Sequence, residues 1–167
     1  SETVLGKKIY RPLRALVKES DIIFVGTPDS AIKKVCRQIE PYLKTGSTLF
    51  HFSGSTEAKV LAQKDIYQGS LHPLGTFPDY KAYQKLRPYY FGLEGDEQAI
   101  SQAKKLLKKI GLKYFILKPK KKPIYHLASV FSSNFIIGLL IMAQDLALRA
   151  GIKKDEFEKF FGPLISG

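Results

Sequence analysis

Short runs of branched and aromatic residues, each followed by a turn and a helix-like stretch, constrain this chain more than any other feature. The run D-I-I-F-V-G from Asp21 to Gly26 is strand-like, and Thr27-Pro28-Asp29-Ser30 breaks it. A helix is expected from Asp29, its N-cap, with Ile32, Val35, Cys36 and Ile39 along one face. A second unit repeats the plan: a strand over Thr48–Phe52, the turn Ser53-Gly54-Ser55, and a helix expected over Thr56–Gln63. Further strands are expected at Ile66–Leu71, Tyr89–Leu93 and Lys113–Leu117. A helix capped by Asp96 and running to Ile110 separates the last two. His72 to Pro78 is too rich in Pro and Gly for regular structure and is expected to be a loop. Strands alternating with helices imply an α/β fold with a mainly parallel sheet covered on both faces.

After Leu117 the pattern changes. Lys118–Pro123 reads as a basic linker, and from Ile124 to Ala150 no Pro interrupts a helical pattern that Gly151 should stop. At about 1.5 Å per residue this helix would be roughly 40 Å long, more than one layer of a small α/β domain needs. Two segments are therefore expected: 1–118, an α/β domain, and 119–167, the opening of a helical one. Phe135–Ala143 is the longest continuously apolar stretch, and His126, Ser129, Ser132, Ser133 and Asn134 precede or flank it. A buried core helix is the expectation, and a membrane span is not.

Composition narrows the setting. With 44% apolar and 25% charged residues the chain is globular in type, which excludes disordered and collagen-like classes. One Cys and three scattered His provide neither a bridge nor a zinc set, so a reduced, cytoplasmic environment without metal is expected. The chain opens with no apolar stretch behind a basic start, so no signal peptide is read there. The net charge of +12 comes from Lys pairs spread over helix faces, without the interleaved aromatics of a base-stacking platform. It reads as a solvated surface that does not bind nucleic acid but suits a polyanionic small ligand.

Three places could carry chemistry. In parallel sheets, ligands lie beyond the carboxyl ends of the strands. There, Gly26-Thr27-Pro28-Asp29 and Ser53-Gly54-Ser55 would let a ligand approach backbone N–H groups, although the same residues suit ordinary turns. On the long helix His126, Ser129, Ser133 and Asn134 share one side, spanning roughly 140° of the helical wheel. They either bond back to their own helix or face a ligand. His72, in L-H-P-L, could exchange protons near neutral pH or serve structure. No G-x-G-x-x-G, G-x-S-x-G, H-E-x-x-H or C-x-x-C occurs anywhere.

These elements appear in a characteristic order: S-D-I-I-F-V-G-T-P-D-S-A-I from Ser20, H-F-S-G-S from His51, S-L-H-P-L-G-T-F from Ser70, F-G-L-E-G-D from Phe91, Y-H-L-A-S-V-F-S-S-N from Tyr125 and A-G-I from Ala150. The series resembles oxidoreductases built from a Rossmann-like domain followed by the helical domain of unknown function 2520. These are similar in plan to pyrroline-5-carboxylate and ketopantoate reductases. The resemblance runs from about Leu13 to Leu164. It implies NAD or NADP across the strand ends, a small-molecule substrate, and a helical domain that closes the cleft and makes a homodimer.

By the same resemblance, Gly26, Thr27, Pro28, Asp29, Ser53 and Gly54 match cofactor-binding positions, and His72, His126 and Asn134 match positions facing the cleft. The related reductases carry a Lys four residues before the helix Asn. Val130 stands there in this chain, which leaves His126 as the nearest titratable group. The expected assignment is His126 as acid/base, Asn134 and Ser133 as positioning groups, and His72 and Ser129 against substrate. The family's first strand, glycine-rich turn and helix would precede Ser1, so the chain is read as a fragment with weak cofactor affinity of its own. Its uncovered apolar surface should then meet a partner chain. A dinucleotide sensor without catalysis is the alternative, motivated by Val130.

Overall fold

The computed structural model describes residues 3–4, 7–8, 12–61, 65–75, 89–118 and 120–166. The expected Pro- and Gly-rich loop falls partly outside them, at Thr76 to Pro78. Two compact units emerge, Ser1–Tyr125 and His126–Gly167.

The first unit opens with a short antiparallel ladder, β1 (Thr3–Val4) on β2 (Lys7–Lys8), then α1 (Leu13–Glu19). Its centre is a five-stranded sheet in the order β3 (Ile22–Val25), β4 (Thr48–His51), β5 (Tyr67–Leu74), β6 (Tyr90–Gly95), β7 (Lys113–Ile116). Pairing is parallel between β3 and β4, β4 and β5, and β6 and β7, and antiparallel between β5 and β6. The α/β architecture and the mainly parallel sheet are as expected.

Side chains alternate across each strand, so neighbouring residues feed opposite cores. Leu49 joins Ile23, Val25 and the buried faces of α1 and α2 (Asp29–Ile39), where Val17, Ile32, Cys36 and Ile39 pack. Phe50 joins Leu71, Phe91 and Leu93 against Ala99, Ala103 and Leu107 of α3 (Glu97–Lys109). Both helices therefore bury the faces their spacing predicts. Burial pushes the Cys36 thiol up to about 11, so it stays protonated inside the first core.

Several local expectations are corrected. Asp29 is the first residue of α2 and Pro28 occupies the cap position, because the Asp29 carboxylate is used elsewhere. Asp96 does sit at the cap of α3, yet its carboxylate accepts the Gln68 N–H at 2.7 Å. β5 runs on to Leu74, so His72 and Pro73 are strand residues facing Gly92 and Phe91. The described part of Thr56–Gln63 is not helical.

The long helix forms in three pieces without a break: α4 (Lys122–Val130), a π-turn (Phe131–Phe135) and α5 (Ile136–Arg149). Gly151, at φ +87°, ends it as expected, with its N–H on Leu148 and the Ile152 N–H on Ala147, a Schellman closure. The run Lys122–Arg149 is long and apolar enough to cross a membrane by length and composition. The expectation that it is a buried core helix does not hold within this chain. Leu127, Phe131, Leu139, Met142 and Leu146 are more than half exposed, and α6 (Lys154–Ser166) packs against α5.

Gly95 pins the antiparallel pair. At φ +147° a side chain there is strained, and a Cβ would stand 2.4 Å from the Gln68 carbonyl oxygen. Gly95→Ala is expected to cost about 2–4 kcal/mol in urea unfolding; an unchanged midpoint would show that β5 and β6 can part without loss.

Candidate functional site

The crossover from β4 to β5 passes through Phe52–Leu61 without helical hydrogen bonds, yet much of it is buried. Backbone groups out of water need partners, and here side chains supply them. Ser53 N–H donates to His51 Nδ1 (3.2 Å), and His51 Nε2–H donates to the Glu57 carbonyl (2.9 Å). The Ser55 and Thr56 N–H groups donate to Ser53 Oγ at 3.2 and 2.9 Å. Ala58 N–H donates to Glu94 Oε2 (3.0 Å). Gln68 accepts from Val60 and Leu61 N–H and donates to the Leu61 carbonyl.

Sheet register explains how these side chains converge. His51 pairs with Ser70, and Ser70 with Glu94, so three polar residues form one row across three strands. Lys122, the first residue of α4, lies over that row. Its Nζ donates to Ser70 Oγ (2.6 Å) and to the Thr56 carbonyl, with Glu94 Oε2 at 3.6 Å. The side chain is 0% exposed.

Burial and these neighbours set the protonation states. Burial first, and then the Lys122 charge, lower His51 from 6.5 to about 4, against the pull of the Glu57 carbonyl and Asp29. His51 is thus neutral near pH 7, with its proton on Nε2, as its two bonds require. Burial lowers Lys122 to about 8, against Glu94, Asp29 and Glu57, which favour its charged form.

The two strand-end loops singled out by sequence are joined. Asp29 Oδ2 accepts from Ser53 Oγ at 2.6 Å and from Ser55 Oγ at 3.0 Å. Beside this link Gly26 is exposed with nothing in the space a Cβ would take, and Gly54 is buried. Thr27 Oγ1 is buried without a hydrogen-bond partner among the described residues, while Pro28 is exposed. The loops form a cradle with open backbone at Gly26 and an unused hydroxyl at Thr27.

His72 stands on the same face of β5 as Ser70, two residues on. Its Nδ1 lies 2.7 Å from the Tyr125 hydroxyl, whose burial pushes the phenol up to about 12. Both belong to the first unit.

In the second unit, half-buried His126 opens a polar line along the helix. Ser129 Oγ donates to the His126 carbonyl and Ser133 Oγ to the Ser129 carbonyl, each at 2.7 Å. Ser133 Oγ also lies 3.1 Å from Asn134 Oδ1. One hydroxyl carries one proton, so both contacts are satisfied together when the Asn134 amide is turned and its N–H donates to Ser133. The two serines do bond back to their helix, and Ser133 and Asn134 lie in the π-turn, a distortion frequent at functional sites.

Sequence reading missed Lys122, Glu94, Ser70, Gln68 and His51. One signal was available: Gln68 and Ser70 are polar residues two apart in a strand flanked by buried positions, hence on one inward face. Nothing local marked Lys122 among the neighbouring lysines. Among the described residues no cluster of His, Cys, Asp or Glu could hold a metal ion.

Residues 89–167 match the family described as Domain of unknown function (DUF2520). Among solved structures, the chain is 30% identical to a protein from Thermotoga maritima (TM-score 0.69), covering 86% of this chain and 56% of that one. It is 18% identical to a semialdehyde dehydrogenase NAD-binding protein from Cupriavidus necator in complex with calcium and NAD. That match has TM-score 0.73 and covers 97% of this chain and 65% of the other. A pyrroline-5-carboxylate reductase from Coxiella burnetii is also 18% identical (TM-score 0.63), with coverage of 95% and 59%. The chain thus spans a little over half to about two thirds of these relatives, and its fold is the Rossmann-like one they share. No curated protein matches.

The site predicts an acid-sensitive crossover. Because His51 is lowered in the fold, the unfolded chain binds the extra proton between pH 6.5 and about 4. The stabilisation is therefore full above pH 6.5 and is lost as pH falls through 4, on the order of 3 kcal/mol. Urea unfolding of wild type and His51→Gln at pH 7 and pH 4 should show the wild type losing about that much more; parallel losses would refute the assignment.

Proposed function

We propose that this chain, with its Rossmann-like sheet and the helical segment that follows, belongs to an NAD(P)-dependent oxidoreductase acting on a small carbonyl, imine or hydroxy compound. The observation that carries this reading is the Asp29 link between the two strand-end loops. It brings together an open Gly26, a Thr27 hydroxyl without a hydrogen-bond partner among the described residues, and Ser53-Gly54.

Gly26, Thr27, Pro28, Asp29, Ser53 and Gly54 would hold the nicotinamide-bearing nucleoside of NAD or NADP. When bound, the cofactor supplies or accepts the hydride. The chain's own residues orient the substrate and handle one proton. Thr27 Oγ1 and the Gly26 backbone offer hydrogen bonds to ribose or carboxamide. His126 is assigned the proton transfer, at its imidazole. Asn134, oriented by Ser133, positions the substrate's polar group, and His72 and Ser129 are assigned to the substrate as well. The reading also includes a homodimer through the apolar helical segment, without nucleic-acid or membrane partners, in the cytoplasm.

Saturation-transfer NMR suits a weak ligand. With NADPH or NADH added to the 167-residue chain, transfer should be strongest at nicotinamide and adjacent ribose protons, and Gly26→Trp should abolish it. No transfer at the nicotinamide would overturn the proposal. In the protein that turns over a carbonyl panel with NADPH, His126→Ala should lower kcat by about 100-fold or more with cofactor binding retained. Binding without turnover of any panel member would favour the sensor reading.

A further inference from the structure

Lys122 is the least expected group in the first unit. Its ammonium has no exposure; it donates to Ser70 Oγ and the Thr56 carbonyl and is ion-paired with Glu94 Oε2 at 3.6 Å. It opens α4, where the helix dipole disfavours a cation. A buried ion pair replaced by well-packed apolar side chains is often neutral or stabilising, so stability alone gives a poor account of a lysine here.

The geometry accounts for it better. One end of the pair reaches the loop at the Thr56 carbonyl, and the other reaches it two residues later, where Glu94 accepts the Ala58 N–H at 3.0 Å. Just before these anchors comes the turn that carries Ser53 and Gly54, itself held by the Asp29 link to Ser53 and Ser55. We propose that Lys122 is a positioning residue, its buried ammonium fixing Ser53–Ala58 in the shape that presents Ser53 and Gly54 to the dinucleotide. The functional half of this inference rests on the reading above; the structural half does not.

The charged and titratable groups around Lys122 make the role measurable. They are Glu94 from β6, Glu57 from the loop, Asp29 from α2 and His51 from β4. Glu94 favours the ammonium, and the ammonium disfavours a second proton on His51. Amide shifts of Thr56 to Ala58 in the wild type should therefore titrate together with a midpoint near pH 8. Glu94→Gln should move that midpoint down, because a group that favours the charged form is lost. Lys122→Met should abolish the transition, raise the His51 midpoint above about 4, and speed Ala58 amide exchange by about tenfold or more while Leu49 and Phe50 stay protected. A merely space-filling lysine would move neither the pH midpoint nor His51.

NADPH saturation transfer should fall at the nicotinamide in Lys122→Met and persist in the wild type. If the wild type itself gives no transfer, the oxidoreductase reading fails, and the amide titration still decides whether Lys122 holds the loop. Loop amides that neither titrate near pH 8 in the wild type nor shift in Glu94→Gln would overturn the proposal, whether or not the Met variant folds.

Discussion

A stretch of backbone removed from water must find hydrogen-bond partners, and the crossover after β4 finds them in side chains instead of in a helix. His51, Gln68, Ser53, Glu94 and Lys122 satisfy N–H or C=O groups between Ser53 and Leu61. A helix would have satisfied those groups internally and turned its own side chains to the sheet. The irregular path instead lets the Ser53-Gly54-Ser55 turn close onto Asp29, and the paired strand-end loops depend on that closure.

This arrangement ties electrostatics to shape. His51 must be neutral to accept one backbone bond and donate another, and the Lys122 charge helps keep it so. Lys122 in turn needs Glu94, which also holds Ala58. Each group is costly to bury alone and tolerable in company. Removing one member therefore changes the surroundings of the others, and single contacts have no separate value.

Much of the scaffold was legible in the sequence because it follows periodicity. Ile32, Cys36 and Ile39 on α2, and Ala99, Ala103 and Leu107 on α3, are buried as their spacing requires, and Gly151 stops α5. The helix expected from Thr56 does not form over its described residues, 56–61, because local propensity cannot register partners that arrive from β5, β6 and α4, up to 66 positions away in the chain. His72 was misplaced because Pro73 reads as a loop signal, yet the strand accommodates it opposite Phe91. Of the proposed cofactor positions, Asp29 and Ser53 could be paired only once the fold brought two distant turns together. Lys122 looked like one of many surface lysines, and only register and burial set it apart.

The exposed apolar side chains of the long helix and the net charge of +12 act in opposition once many copies share a solution. At low ionic strength, like charges keep copies apart. At about 0.15 M salt their reach shrinks to roughly 8 Å, and short-range attraction between oily helix surfaces is no longer opposed. The ionic strength of the solution thus sets how far the charge of this chain opposes contact between its apolar helix surfaces.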